Sequence, residues 1–365
     1  MTDAAPWAAR AAAAERAVHA RHLRALWWLP GTRLGVVAWP PNWRQRLFMG
    51  TWHYWWQAHL MDCLLDAQLR DPVAGRRDLV HGLARGIRLR NMRRWTNDYY
   101  DDVAWLGLAL QRAANTADVR HPAAVRQITA QLNAGWTSQG GGGIWWRVGD
   151  DFKNVPSNGP AAILLARSEQ PADQQRAVDL GEWITAELVD ADNGLVWDGL
   201  RVNQDGSIRT VEKGVYSYCQ GVYLGLCVEL AALTGDDVWP QRAARTVAAT
   251  VEHLVGPDGV LRGHGTGDGG LFTGILGRYL ALAAVELPPA ERATRRLAAG
   301  VVLAAAEAAW RNRGIGHGGP VFGPNWSTPA DRAADLSVQL SGWMLCEAAA
   351  SVERHSYSDS GQSLG

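Results

Sequence analysis

Lysine is almost missing from this sequence of 365 residues. Of its 36 basic residues, only Lys153 and Lys213 are lysines and the rest are arginines. Acidic residues also number 36, so the formal net charge is zero. A protein whose main partner is nucleic acid or an anionic membrane ordinarily carries a basic excess. The charge balance therefore argues against both partner classes.

Long apolar runs are also lacking. No stretch approaches the ~18 consecutive apolar residues of a membrane span. The Ala-rich first 28 residues are interrupted by Arg10, Glu15 and Arg16, so they lack the uninterrupted apolar segment of a secretory signal. We therefore expect no integral membrane span and a cytoplasmic location, and the sequence leaves export by another route open.

Cysteine is scarce and widely spaced, and no CxxC or Cys/His pairing occurs. This spacing disfavours structural zinc and a disulfide framework, and it favours buried free thiols. The histidines do not show metal-ligand spacing either, so we expect no bound metal and no cofactor. The four cysteines are Cys63, Cys219, Cys227 and Cys346.

Helical periodicity dominates the chain, and 47% of the residues are hydrophobic, which is enough for a large core. We predict one domain over residues 1–365, with flexible tails near 1–8 and 356–365. The predicted fold is all-α. Its twelve helices lie near residues 8–28, 52–70, 74–92, 101–116, 121–135, 157–168, 173–190, 217–234, 238–255, 270–287, 289–311 and 330–352.

Long gaps precede every second helix, about every 50 to 60 residues, and each has glycine, a short apolar strand signal and a turn. A repeat of this length indicates stacked helical hairpins. Six hairpins can close into a double ring or remain an open solenoid. The even-numbered helices are apolar almost all round, as the inner helices of a closed ring must be. In the closed form all long loops meet on one rim.

The segment NDYYDDVAW, residues 97–105, places Asp101 and Asp102 at the start of a predicted helix. Carboxylates in a first turn are usually explained by helix capping and the helix dipole. Here, however, Tyr99, Tyr100 and Trp105 supply apolar walls. Two carboxyl groups in a partly desolvated cleft have pKa values that are pushed apart, so that one is ionised and one protonated. Hydrolysis of a glycosidic bond requires this division of roles.

Aromatic and amide side chains near the same rim are typical of a sugar-binding groove. Indole rings stack on the C–H faces of pyranoses, and amides both donate to and accept from hydroxyl groups. Trp145 and Trp146 follow four glycines in a loop, whereas Asn158 could equally be an N-cap. The candidate substrate-binding residues are Tyr100, Trp145, Trp146, Lys153, Asn154, Asn158, Tyr218, Gln220 and Trp326.

Six motifs, taken in their order along the chain, closely resemble those of glycoside hydrolase family 76, the endo-α-1,6-mannanases of bacteria and fungi. The resemblance implies an (α/α)6 barrel with a rim groove for α-1,6-linked mannan, a retaining mechanism and no metal in the chemistry. It assigns Asp101 as nucleophile and Asp102 as acid/base. A mannosylated envelope glycolipid is a further possible substrate. The motifs are WHYWWQAHLMDCLLDA, YYDDVAW, GGGIWWR, KNVPSNGPAAILLAR, YSYCQGVYLGLCVELAALTGD and LFTGILGRYLA.

Three alternatives remain open from the sequence. A sugar 2-epimerase on the same barrel would use histidines at the mouth, for which His264 and His317 are available. A non-catalytic mannan-binding protein would keep the tryptophans and Asn158 without cleaving the polymer. A helical scaffold for protein partners would bind no sugar and would expose an extended apolar patch.

Overall fold

The computed structural model describes residues 6–331 and 334–362, which contain thirteen α-helices. All of them are long except α2, which has only four residues. The helices are α1 (Pro6–Arg21), α2 (Trp43–Arg46), α3 (Tyr54–Arg70), α4 (Ala74–Arg90), α5 (Tyr100–Thr116), α6 (Pro122–Ala134), α7 (Val155–Ala166), α8 (Pro171–Leu188), α9 (Ser217–Thr234), α10 (Val238–Leu254), α11 (Gly269–Glu286), α12 (Arg292–Arg311) and α13 (Leu336–Gln362).

Six of the helices form a closed inner ring. Helices α3, α5, α7, α9, α11 and α13 each pack against the next, and α13 packs against α3 to complete the circle. The outer helices α4, α6, α8, α10 and α12 pack against the inner helix that precedes each of them, and α1 packs against α13. The fold is therefore an (α/α)6 barrel, as predicted, and not an open solenoid.

Small residues allow the inner helices to approach closely. A Cβ added at Gly221 on α9 would lie 2.9 Å from the Cα of Leu276 on α11. A Cβ at Gly274 on α11 would lie 2.5 Å from the Cα of Ser341 on α13. Helix α7 is mostly apolar, and all of its residues are buried. Because glycine has no side chain at these contacts, the backbones of neighbouring inner helices can approach closely, as a ring of six helices requires.

The first and last helices do not begin and end where the sequence predicts. The first ends at Arg21 and not near 28, because the side chains of Arg21 and His22 are drawn into the core. Arg21 donates to the carbonyl of Pro320 at 2.6 Å, and His22 Nδ1 lies 2.7 Å from the carbonyl oxygen of Val36. The last helix begins at Leu336, after a short strand.

The predicted tails fall only partly on described residues. Residues 6–8 lie in α1 and residues 356–362 lie in α13, whereas residues 1–5 and 363–365 lie outside the described ranges. No single helix within those ranges has the length and apolar character to cross a bilayer. Two consecutive helical segments together have that length and apolar character, but they are bent by 116° relative to each other. They are Gly269–Glu286 and Pro289–Arg311.

Short antiparallel strands occupy the long loops that precede the inner helices. Strands β4, β5 and β6 form one sheet, β1 pairs with β2, and β7 pairs with β8. The pairing of β3 with β9 joins the loop before α3 to the loop before α13 and so completes the rim. The strands are β1 (Leu23–Arg24), β2 (Leu34–Gly35), β3 (Ala38–Trp39), β4 (Phe152–Asn154), β5 (Trp197–Val202), β6 (Ile208–Val215), β7 (Gly314–Gly316), β8 (Gly319–Val321) and β9 (Ala334–Asp335).

A buried amide at the fourth residue of an inner helix fixes the preceding loop, and this contact recurs in four of the six repeats. In each case the side-chain oxygen accepts from a backbone N–H and the side-chain nitrogen donates to the carbonyl of the same residue. The lengths lie between 2.6 and 3.1 Å. The pairs are Gln57 with Gly35, Asn158 with Ile144, Gln220 with Val196, and Gln339 with Phe322.

The equivalent fourth positions of α5 and α11 are Val103 and Phe272. Those two repeats carry acidic residues at or just before the helix start, namely Asp101 and Asp102 on α5 and Asp268 before α11. The rim loops are thus held by amides in four repeats and diverge in the two repeats whose inner helices begin with or just after these aspartates.

Farther along the inner helices, the barrel contains buried ion pairs. Arg112 pairs with Asp62 and Asp66 at 2.5 and 2.6 Å, and Arg278 pairs with Asp66 at 2.5 Å. Removing one partner of such a network leaves a buried charge uncompensated, which is strongly destabilising. The four cysteines are free and buried, as the sequence predicts.

Candidate active site

Asp101 and Asp102 lie in the first turn of α5, at the rim. The helix is positioned there by the backbone N–H of Tyr100, which donates to the carbonyl of Trp146 at 2.9 Å. Asp101 Oδ1 accepts the N–H of Asp102 at 2.8 Å, and Asp101 Oδ2 accepts the indole N–H of Trp146 at 3.1 Å. The 140–146 loop and the start of α5 are therefore joined at this carboxylate.

Asp102 is held by the residue that begins the same segment. Asn97 Nδ2 donates to Asp102 Oδ2 at 2.7 Å, and Asn97 Oδ1 accepts the backbone N–H of Tyr99 at 2.9 Å. The N-cap residue of α5 is Tyr99, which makes no side-chain capping bond. The pair of aspartates is thus not explained by side-chain capping, since Asn97 and Trp146 take part in fixing it.

The two carboxyl groups differ in proton affinity. Burial raises the pKa of Asp101 to about 6, although the N–H of Asp102 and the indole of Trp146 lower it in part. Burial and the charge of Asp101 raise the pKa of Asp102 well above its usual range. Of the two groups, Asp102 therefore holds its proton more firmly, and Asp101 ionises first. This is the arrangement that the sequence analysis anticipated for the pair.

A further carboxyl group, Asp268, faces the pair from the start of α11. It accepts the indole N–H groups of Trp55 and Trp56 at 3.1 and 2.8 Å, and His53 Nδ1 lies 3.5 Å away. Burial alone would raise its pKa, but the hydrogen bonds from His53, Trp56 and Trp55 lower it. The resulting negative charge raises the pKa values of both Asp101 and Asp102.

Asp198, on β5, adds one more acid to the mouth. Burial, together with the charges of Glu212 and Asp101, raises its pKa to about 6. Nearby, the ring of Tyr218 stacks on Phe272 with 3.8 Å between centroids and 3° between planes. Burial raises the pKa of Tyr218 well above its usual range, and Asp198 and Asp101 act in the same direction. The mouth thus combines four carboxyl groups with flat aromatic surfaces.

The two candidate loop tryptophans have different surroundings. Trp146 donates to Asp101, whereas the ring of Trp145 lies 4.4 Å from the ammonium of Lys153. Lys153 is fully buried, and Nζ contacts four oxygens: Thr137 O, Thr137 Oγ1, Gln139 O and Gly142 O, at 2.6 to 3.0 Å. Lys153 therefore organises the glycine-rich loop, which corrects the expectation that it contacts substrate.

Several other candidate substrate-binding residues also have structural roles. Asn158 and Gln220 are fully buried and use their amides to clamp backbone, and Asn154 caps α7 by accepting from the N–H of Ser157. Trp326 is packed in the hydrophobic core. The ring of Tyr100 lies against Gly135, where an added Cβ would meet it at 2.4 Å. Buried amides whose atoms are already paired have no hydrogen-bonding capacity left for a sugar hydroxyl.

Sequence reasoning missed three polar residues of the site: Asn97, Asp198 and Asp268. Asn97 is the first residue of the segment NDYYDDVAW and lies only five residues before Asp102 in the sequence. Asp268 lies in the glycine-rich segment GTGDGG, residues 265–270, where no neighbouring carboxyl group in the sequence marks it as part of the site. No spacing pattern connects Asp198 with the pair, because its position depends on how β5 crosses the mouth. Within residues 6–331 and 334–362, no group of three His, Cys, Asp or Glu side chains could hold a metal ion.

Comparison with known proteins places this arrangement in context. The model of glycosyl hydrolase family 76 matches residues 11–358. Mannan endo-1,6-alpha-mannosidase DCW1 of Candida glabrata is 29% identical over 217 residues, which is 52% of this chain and 48% of that protein. Mannan endo-1,6-alpha-mannosidase DFG5 of Candida albicans is 32% identical over 145 residues, 36% of this chain and 32% of that protein. The chain thus spans about half the length, or less, of these curated relatives.

A solved structure covers nearly the whole chain. The GH76A α-1,6-mannanase of a Salegentibacter species is 30% identical, with a TM-score of 0.85, over 94% of this chain and 99% of that one. A variant of the same enzyme, described as inactive, has two consecutive aspartates replaced by asparagine and binds α-1,6-mannotriose. A Listeria innocua protein is 27% identical with a TM-score of 0.83, over 95% of this chain and 98% of that one.

Proposed function

This chain belongs to glycosyl hydrolase family 76, and from that premise we propose that it is a retaining glycosidase that cleaves α-1,6-linked mannan within the polymer. The observation that carries the proposal is the placement of Asp101 and Asp102 side by side at the rim of an (α/α)6 barrel, where Trp146 donates to Asp101 and Asn97 donates to Asp102. The Salegentibacter enzyme, which is inactive in a variant with two consecutive aspartates replaced, supports the same site.

Asp101 is the nucleophile in this mechanism. Its two oxygens accept hydrogen bonds from the N–H of Asp102 and the indole of Trp146, and both bonds favour the ionised form. The carboxylate attacks the anomeric carbon as the bond to the departing oxygen breaks. The product of this step is a covalent mannosyl ester on Asp101.

Asp102 is the acid and then the base. In the first step it transfers its proton to the glycosidic oxygen, so the leaving sugar departs as a neutral alcohol. In the second step it takes a proton from the attacking water, while the anomeric carbon is released from Asp101. Two displacements at one carbon leave the configuration of the anomeric centre unchanged. Asn97, which donates to Asp102 Oδ2, orients the group throughout.

The surrounding residues suit a neutral hexose polymer. The stacked rings of Tyr218 and Phe272 offer a flat apolar face for pyranose C–H groups, and the carboxylates of Asp198 and Asp268 offer acceptors for hydroxyl groups. Charge-assisted bonds to ionised acceptors are stronger than neutral ones, which favours tight positioning of a sugar hydroxyl. A mannosylated envelope glycolipid with an α-1,6-mannose backbone would present the same linkage, and it is the more specific substrate that we propose.

The alternative of a 2-epimerase is disfavoured by the placement of the histidines. His264 Nε2 accepts the backbone N–H of Ser217 at 3.2 Å, and the ring of His317 stacks with Trp39 at 5.7 Å. A proton shuttle needs a ring nitrogen free to reach substrate. A non-catalytic mannan-binding protein has no need of the Asp101 and Asp102 pair, which is intact here.

The test uses linear α-1,6-mannan and sizes the products with time. We expect oligosaccharides of intermediate length from the wild type and no turnover from Asp101→Asn. We expect a loss of about 10²–10⁴ in rate from Asp102→Asn with unactivated substrate. The proposal fails if both variants hydrolyse the polymer at the wild-type rate, or if α-1,6-mannan is bound but never cleaved.

A further inference from the structure

Charge is distributed unevenly along the chain although the net charge is zero. No acidic residue occurs between Glu15 and Asp62, and none occurs between Asp78 and Asp98. Nine arginines of these two intervals lie in or beside the loop before α3 and the second half of α4. They are Arg24, Arg33, Arg44, Arg46, Arg85, Arg88, Arg90, Arg93 and Arg94.

These arginines keep their charge uncompensated. Among the residues that the structure describes, none of the nine forms an ion pair with a carboxylate. Several instead donate to backbone carbonyls, as Arg85 does to Pro30 at 3.3 Å and Arg88 does to Arg93 at 3.1 Å. A carbonyl fixes the direction of the guanidinium but leaves its positive charge to act outward.

The same loops expose the tryptophans of the protein. Of the nineteen tryptophans, all of which lie in the described ranges, only three are classed as exposed: Trp28 at 77%, Trp43 at 61% and Trp27 at 45%. Met92, at 77% exposed, lies beyond the end of α4. Exposed single apolar residues need no explanation, but a cluster of large apolar side chains on one surface marks an interaction site.

Direct contacts join these loops into one surface. The indole N–H of Trp27 donates to the carbonyl of Leu47 at 2.9 Å, and Arg90 donates to the carbonyls of Phe48 and Gly50 at 3.1 and 2.9 Å. We call the surface formed by residues 27–30, 43–50 and 85–94 the aromatic–arginine face. Its apolar members are Trp27, Trp28, Leu29, Trp43, Met49 and Met92.

Part of this face has a strained backbone. Trp27, Trp28, Met92 and Arg93 adopt positive φ angles of 48°, 58°, 51° and 62°. Bulky residues rarely adopt the left-handed region, and each such residue costs on the order of 1–3 kcal/mol. Strain of this kind persists where surrounding structure holds it, and it clusters at functional surfaces.

An anionic lipid surface is the partner that fits this combination. Tryptophan prefers the membrane–water interface, and arginine pairs with lipid phosphates at the same depth. A neutral mannan would gain nothing from the seven arginines of the face. The amides in and beside the face are also engaged: Asn42, just before it, caps α2, and Asn91 donates to the carbonyls of Arg94 and Thr96. They are not available as a polar pair for sugar hydroxyls.

We propose that the aromatic–arginine face docks the protein on an anionic lipid bilayer, with the exposed indoles at headgroup level and the arginines against lipid phosphates. This revises the conclusion drawn from the overall charge balance, which conceals the local excess. The face leads directly into the catalytic mouth. The loop before α3 ends at His53, whose ring stacks on Trp56 at 3.8 Å, and residues 92–100 lead into Asp101. The docked protein therefore holds its mouth beside the lipid.

The test is cosedimentation of the full chain with vesicles. One set consists of phosphatidylcholine alone, and the other contains equal parts of phosphatidylcholine and phosphatidylglycerol. We expect binding to the anionic vesicles only, weakening steeply as salt is raised, because exposed charges are screened. Trp28→Ser with Trp43→Ser should weaken binding at least about tenfold, since both indoles lose their burial in the interface. Arg44→Ser and Arg46→Ser should each weaken it about fivefold.

Matched controls lie elsewhere on the surface. Leu297→Ser with Ile315→Ser removes two exposed apolar residues, and Arg126→Ser removes an exposed arginine, so each should bind vesicles as the wild type does. None of the substituted residues touches the Asp101 site. Hydrolysis of a soluble α-1,6-mannooligosaccharide therefore reports whether each variant is folded, and vesicle binding is measured independently of hydrolysis.

Three results would overturn the proposal. One is equal binding to neutral and anionic vesicles, and another is equal loss of binding in the face variants and the control variants. The third is retardation of the wild type, but not of the Trp28 and Trp43 variant, in a gel that contains soluble mannan, without vesicle binding. That last result would identify the face as a sugar platform.

Discussion

The indole N–H of Trp146 donates to Asp101 Oδ2 at 3.1 Å, across 45 residues of sequence. This bond couples the glycine-rich loop to the nucleophile, and it favours the ionised carboxylate in a buried site where burial alone would favour the proton. Its neighbour Trp145 lies over Lys153 and makes no such contact with Asp101. The two adjacent tryptophans therefore provide a matched pair for testing.

We predict that Trp146→Phe raises the pKa of Asp101, because a hydrogen bond to the ionised form is lost. In kcat/KM against pH, the acid limb should move to higher pH, and the plateau should fall by about tenfold or more. Trp145→Phe is the control and should leave the acid limb in place. An acid limb that does not move in Trp146→Phe would show that the bond does not set the ionisation of Asp101.

The pH profile of the wild type should be bell-shaped. Activity requires Asp101 ionised, so it should rise as the pH passes about 6, where that group loses its proton. It also requires Asp102 protonated, so it should fall at higher pH, where the raised pKa of Asp102 is reached. Initial rates on α-1,6-mannan across this range measure both limbs. A profile that is flat on the alkaline side would contradict the role of Asp102.

Asp268→Asn should move both limbs to lower pH. The charge of Asp268 raises the pKa values of Asp101 and Asp102, and asparagine removes it while keeping an oxygen that accepts from Trp55 and Trp56. The control is Asp258→Asn, an exposed aspartate in the loop before α11. A shift of one limb only, or a shift of both to higher pH, would count against the electrostatic account.

Asp102→Asn should stabilise the fold at alkaline pH. The folded-state pKa of Asp102 is raised, so the stability of the wild type is greatest below the unfolded pKa and is lost as pH rises through the folded pKa. Asparagine carries no charge and escapes this loss. We expect a gain in the free energy of unfolding at pH 8, which shrinks as the pH is lowered and vanishes near pH 3. Urea unfolding at both values checks this, and a gain that is independent of pH would contradict it.

The two lysines should differ in their contribution to stability. Lys153→Met removes the amino group from a cage of four oxygens and should cost about 2–4 kcal/mol in the free energy of unfolding. Lys153→Arg should not restore the loss, since a planar guanidinium does not match a site built around a compact ammonium. Lys213→Met, at an exposed lysine over Trp197, should cost about 1 kcal/mol or less. An equal loss in the free energy of unfolding for Lys153→Met and Lys213→Met would contradict a structural role for the four oxygens around Lys153.

Much of the barrel could be read from the sequence because its pattern is local. The apolar faces of α3, α5 and α9 recur at helical spacing, and glycine-rich gaps precede them, so helix positions were predicted within a few residues for most elements. The end of α1 was not, because Arg21 turns out of the helix to reach carbonyls about 300 residues away. Such contacts leave no trace in a local pattern.

The site was predictable only where its residues are neighbours in sequence. Asp101 and Asp102 were found because they are adjacent, but Asp198 and Asp268 reach the mouth from other repeats. Asn158 looked like a substrate ligand because it lies near the rim. Residue type and position do not reveal that both ends of its amide are already bonded to Ile144.

The central claim is that Asp101 is the nucleophile and Asp102 the acid/base, and azide distinguishes them most directly. With an aryl α-1,6-mannobioside that needs no acid assistance, Asp102→Asn should be rescued by azide to give the α-mannobiosyl azide, because azide attacks the ester on Asp101. Asp101→Asn should instead give the β-azide, because azide attacks the substrate directly. NMR of the anomeric protons identifies each product, and the opposite assignment, or no azide adduct from either variant, would contradict the account.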